Sequence, residues 1–184
     1  MSAQETVEAV SAVERSVKPE KHSWQAIGID LAHLCGLDRW PGGLWREPWF
    51  VATILSAVPF WIGLWSIHPD SPGIWNHEQA ILFLSLVVWQ PVIEELAFRG
   101  FLQGVFLQQA AHRSFLGPVT LANLLASVTF ALAHLPTNPL VWIVGIFVVS
   151  LGLGYARDRS DSLYPSVGLH CYFNAGYFLV TGPL

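Results

Sequence analysis

Two adjacent carboxylates stand inside an apolar stretch, in Val92-Ile93-Glu94-Glu95-Leu96-Ala97-Phe98-Arg99-Gly100. Glu95 and Arg99 are four residues apart, share a helix face and can pair. Glu94 lies about 100° around the helix, and no basic residue nearby in sequence is assigned to it. His134 closes a second apolar stretch, in Phe130-Ala131-Leu132-Ala133-His134, and His170 and Asn174 share a helix face in a third. A carboxylate in apolar surroundings holds its proton more tightly than in water unless a cation compensates. With an imidazole to share the proton, it can act as a general base on water near neutral pH. A histidine and an asparagine amide can supply two donors to an oxyanion. Glu94, His134, His170 and Asn174 together would therefore suit hydrolysis of a peptide carbonyl, with no covalent intermediate, metal or other cofactor.

These polar groups sit in a sequence that is otherwise built for lipid. Of 184 residues, 53% are hydrophobic and 12% charged, with nine Trp and eleven Phe; mean hydropathy is +0.46. A soluble domain carries roughly a quarter charged residues. Residues 1–48 hold 12 of the 22 Asp, Glu, Lys and Arg residues, and the other 136 share ten. This excludes a disordered chain and an ordinary soluble enzyme. The net charge of −4 gives no basic surface for nucleic acid. A charge at the bilayer centre costs about 2.5–3.5 kcal/mol on insertion scales, so the few that remain there are functional by default.

The elements that must carry these groups read as an all-α, polytopic transmembrane bundle of about five spans. Residues 1–23 are a polar tail. Four Glu and no continuous apolar core in the first twenty residues argue against a secretory signal. Trp24, Ile27, Leu31 and Leu34 recur at helical spacing, which predicts an amphipathic interfacial helix ending at Gly36. Trp40-Pro41-Gly42-Gly43 is a turn, and Trp45 and Trp49 suit the headgroup belt. The division is thus 1–48 as tail and interfacial helix and 49–184 as transmembrane domain. Apolar stretches cover 50–67, 80–93 continuing to 111 beyond the Glu pair, 114–133, 135–156 and 163–184. A helical span needs about 20 residues. The second is long, roughly 79–111, with Pro91 as an expected kink.

Eight of the nine Lys and Arg residues flank the N-terminus, the 112–117 turn or the 157–162 turn, and the ninth is Arg99. The positive-inside rule then puts the N-terminus in the cytoplasm and the C-terminus outside a cell membrane. Counted from turns near 115 and 158, Glu95 and His134 stand roughly 30 Å up their helices, His170 roughly 18 Å and Asn174 roughly 24 Å. The groups can meet if tilt or an irregular 157–165 connection removes about two turns of offset.

Glu-Glu-x-x-x-Arg, then Phe-x-x-x-His, then His-x-x-x-Asn in successive apolar spans resembles the glutamic intramembrane endopeptidases. This is the CPBP family of type II CAAX prenyl proteases and bacteriocin-processing or bacteriocin-immunity proteins. Phe98-Arg99-Gly100-Phe101-Leu102-Gln103, Gly154-Tyr155-Ala156-Arg157 and Leu163-Tyr164-Pro165 also match, and the resemblance covers about 79–182. It implies a helical bundle with a cavity open to membrane and water, and a protein or peptide substrate. It further implies Glu94 as the base working with His134, His170 and Asn174 as oxyanion donors, and Glu95 with Arg99 holding the geometry. The five spans expected here are fewer than many members have.

Other readings stand beside this one. Glu95 and Arg99 suit a structural ion pair as well as a catalytic part. Taken alone, His134 reads as a headgroup-facing residue. The carboxylates and both histidines suit zinc, although no His-Glu-x-x-His occurs. His134 and His170 suit haem, which would leave the Glu pair unexplained. A non-catalytic immunity protein acting by binding would keep the fold alone. Cys35 and Cys171 imply no disulfide framework.

Overall fold

In a computed structural model the described residues are 31–67, 76–109 and 117–182. The polar tail, the Trp24 and Ile27 turns of the interfacial helix, the arginine turn around Arg113 and most of the 68–79 connection fall outside them. Residues Ala32–Leu184 form one compact unit.

The helix expected before Gly36 is seen over 31–35. Gly36 ends it at φ 69, with its own N–H on the His33 carbonyl and the Leu37 N–H on the Ala32 carbonyl. That left-handed stop admits glycine at no steric cost. A 3₁₀ turn, Leu44–Arg46, leads into α1, Pro48–Ile67. Helix α2 runs His77–Leu107, opened by a capping box between Asn76 and Gln79. Helix α3 is Leu121–Ala133, capped by Thr120; α4 is Leu140–Ser160; α5 is Tyr164–Thr181.

The all-α expectation holds. Helices α1, α2 and α4 are long and apolar enough to cross a membrane, at about 30 Å for twenty residues. The third expected span, 114–133, differs. Its helix begins only at Leu121, after Gly117 at φ 57 and Pro118, and has 13 residues, or about 20 Å. Helix α5 has 18 residues, interrupted along one face by Ser166, His170 and Asn174. Around Pro91 helix α2 widens locally, as described below.

Polarity is inverted relative to a soluble bundle. Leu55, Phe60, Ile62, Trp65, Val141, Val144 and Val148 are exposed. Glu95, Arg99, Gln103, Asn123, Ser127, Ser150 and Ser166 are all fully buried. Small residues allow the close approach: the Asn123 side chain fills the space beside Gly154 where a Cβ would stand, and donates to the Leu151 carbonyl at 3.0 Å.

One end of the bundle is closed by the 34–39 segment. Leu163 N–H donates to Gly36, Ser162 Oγ to the Arg39 carbonyl, Tyr164 Oη to Leu37 and Arg157 Nη2 to Leu34. Arg39 pairs with Asp161 at 3.2 Å. Arg39, Arg157 and Arg159 thus gather at one end, while His134 and Pro139 lie at the opposite ends of α3 and α4.

Candidate active site between α2, α3 and α5

Glu94 and Glu95 stand on a regular helical turn, Gln90–Glu95, between two π-helical segments of α2, Ser85–Trp89 and Leu96–Leu102. Such wider turns change the angular phase of everything that follows and are frequent at functional sites. The first has a local cause. The Gln90 N–H reaches back five residues to the Ser85 carbonyl, and Pro91 has no N–H. The Leu86 carbonyl is therefore skipped by one donor and denied the next. Asn174 on α5 donates its amide to it at 2.9 Å.

His170, one turn before Asn174, sits between both carboxylates. Its Nδ1–H donates to Glu95 Oε1 at 2.9 Å, and its Nε2 lies 3.7 Å from Glu94 Oε2. The second distance is too long for a direct hydrogen bond. Glu95 Oε2 lies 3.6 Å from Arg99 Nε, with both side chains fully buried. Arg99 in turn donates from Nη2 to Ser150 Oγ at 2.8 Å and to the Ser150 carbonyl at 3.2 Å. Its guanidinium stands 4.6 Å over the Phe130 ring, a cation–π contact. The two carboxylates thus differ in kind. Glu95 is locked between a cation and a ring, whereas Glu94 keeps 18% of its side-chain surface exposed. Gln90 Nε2 donates to Glu94 Oε1 at 2.8 Å.

His134 caps the C-terminus of α3, and its Nδ1 is 2.8 Å from the Phe130 carbonyl. A carbonyl only accepts, so Nδ1 carries the hydrogen and Nε2 is left for the site. The His134 ring is 4.6 Å from the Phe130 ring, which is 6.0 Å from His170. The structure therefore brings Glu94, Glu95, Arg99 and His170 into direct contact and holds Asn174 on α2 one turn away. His134 packs on the Phe130 ring, and no hydrogen bond or ion pair between it and Glu94 is present among the described residues.

Helix α2 ends at Leu107 rather than near 115, and α5 starts at Tyr164, so neither height counted from the turns holds; His170 nevertheless meets Glu95 directly at 2.9 Å.

Gln90 and Ser150 escaped the sequence reading, and Phe130 entered it only as the first residue of Phe-x-x-x-His. Gln90 was legible as a polar residue four positions before Glu94. Ser150 was not, because its partner is 51 residues away. A polar column continues below the site: Gln103 donates to the Gly154 carbonyl and to Asp158, which also accepts from Thr120. It reaches a cavity of about 460 Å³ walled by His33, Arg39, Gln108, Arg157 and Asp161 among others. None of the candidate catalytic residues lines that cavity, so volume alone would have pointed away from the chemistry. Among the described residues no three His, Cys, Asp or Glu side chains form a group that could hold a metal.

A family model for Rce1-like type II CAAX prenyl endopeptidases matches residues 76–176, more than half of the chain and all of the site. No curated protein and no solved structure matches. The chain belongs to this protease family, and its three long apolar helices are those of a multi-pass membrane protein.

Proposed function

We propose that the chain is an intramembrane endopeptidase in which Glu94 is the general base for a water that attacks a peptide carbonyl. The carrying observation is the split between the two carboxylates. Glu95 is committed to His170 and Arg99, while Glu94 is partly exposed with Oε2 in no direct hydrogen bond to the ring. Oε2 takes a proton from water as the oxygen attacks the carbonyl carbon, with His134 Nε2 as the second acceptor at the water. The carbonyl oxygen becomes an oxyanion. Asn174 has two amide hydrogens, one engaged by Leu86 and one available as a donor; His170 Nε2 donates when protonated. Breaking the C–N bond then returns the proton to the leaving amine. Glu95 and Arg99 hold the ring and the helix in place.

In this reading all five helices lie in the bilayer, with α3 and α5 as the shorter crossings. The arginine end is cytoplasmic, as the grouping of Arg39, Arg157 and Arg159 supports. The site then lies towards the outer side, and the substrate is a membrane-associated or exported protein. Glu94→Gln and His134→Ala are expected to abolish cleavage while the protein still inserts. Comparison of membrane and secreted protein termini between wild type and Glu94→Gln identifies the substrate. Normal cleavage by Glu94→Gln overturns the assignment. Survival of a biological effect in that variant would instead favour a role by binding.

A further inference from the structure

We infer that Gln90 is a positioning residue for the Glu94 carboxylate, fixing Oε1 so that Oε2 is the oxygen presented to His170 and to water. The inference rests on the reading of Glu94 as the base.

Three observations carry it. First, Gln90 Nε2 donates to Glu94 Oε1 at 2.8 Å, across the i,i+4 spacing that brings side chains together on one helix face. Second, both residues belong to the Gln90–Glu95 turn between two π-helical segments, so their mutual geometry is that of a regular helix although the surrounding helix is not. Third, Gln90 is exposed between outward-facing Trp89 and Ile93 in a stretch of α2 that is otherwise apolar. A primary amide turned towards lipid is costly unless it bonds, and the carboxylate is the partner it has.

The arrangement supplies what Glu94 lacks. Arg99 is spent on Glu95 and Ser150. Among the described residues the charged or titratable groups near Glu94 are Glu95 and Arg99 from its own helix and His170 from α5, with His134 of α3 packed on Phe130. Helix α1 carries no ionisable side chain, and those of α4 lie in its last two turns. A neutral amide donor steadies the ionised carboxylate without adding a second cation that would hold Glu94 too firmly to act as a base. Its hold does not titrate, so it persists across the working pH range.

The test uses the full chain in detergent or liposomes, with the substrate found by the terminal comparison above. Gln90→Met keeps length and helix preference and removes the amide that donates to Glu94. We expect kcat to fall about tenfold with KM unchanged, as loss of one hydrogen bond to a charged group suggests. The pH–rate profile should change with it, and change more in Gln90→Glu, which sets a second carboxylate beside the first. Independently of substrate, infrared titration should show the carboxyl band that disappears in Glu94→Gln shifting in Gln90→Met. The same change in a Glu94→Gln background should leave the remaining carboxyl bands unmoved. An inactive Glu94→Gln enzyme combined with wild-type kcat, pH profile and infrared titration in Gln90→Met overturns the inference and leaves the base assignment intact. An active Glu94→Gln enzyme overturns the base assignment itself.

Discussion

The side-chain amide of Asn174 meets the carbonyl of Leu86 at 2.9 Å, across 88 residues of sequence. It satisfies an acceptor that α2 cannot serve, because Gln90 bonds further back and Pro91 has no N–H. Asn174→Ala should cost about 1–2 kcal/mol, the penalty for an unsatisfied carbonyl inside a bundle. Pro91→Ala returns an N–H to this turn, so the double variant should recover much of that loss. Thermal unfolding of the four proteins of the cycle measures the coupling. If Asn174 also serves the oxyanion, the double variant regains stability and not turnover.

Glu94 and Glu95 should separate by phenotype. Glu94→Gln is expected to fold with stability within about 1 kcal/mol of wild type, since its site is partly open. Glu95→Gln leaves the Arg99 cation buried beside a neutral amide, a defect of about 3–5 kcal/mol. Replacing the pair together, as Glu95→Leu with Arg99→Met, should restore stability and leave the enzyme inactive. Melting temperature and cleavage, measured on the same preparations, decide this.

Gly154→Ala should destabilise by about 1–3 kcal/mol, because the new methyl meets the Asn123 side chain. Gly145→Ala and Gly152→Ala on the same helix have open space at that position and should be neutral or slightly stabilising. A melting series across these three variants tests the α3–α4 contact without touching the site.

Cys35 reports on the 34–39 segment. Burial pushes its thiol up from the ordinary 9.0, with Arg157 opposing in part. The thiolate is the reactive form, so maleimide labelling near pH 7.5 should be slower than for a free cysteine. Ser162→Ala and Tyr164→Phe remove the hydrogen bonds to the Arg39 and Leu37 carbonyls and should speed labelling. Unchanged rates would mean that these bonds do not hold the segment down.

The sequence was informative where interactions are local or compositional. Glu95 with Arg99 was readable because i,i+4 spacing survives in the fold, and Gly36 because only a left-handed stop explains its use there. The apolar stretches correctly located α1, α2 and α4, since lipid exposure is a property of composition. Helix α3 was placed too early because apolar residues continue through Gly117 and Pro118, which break the backbone without interrupting hydropathy.

By itself, then, the sequence determined that carboxylates, imidazoles and an amide lie in apolar helices and which local pairs they form. Only the tertiary structure decided that His170 stands between both carboxylates, that Asn174 secures the Leu86 carbonyl and that Ser150 receives Arg99. The reason is angular. Two π-helical segments rotate α2 away from the 3.6-residue period on which any face assignment depends, and helix ends fixed by Leu107 and Tyr164 set the heights at which facing side chains meet.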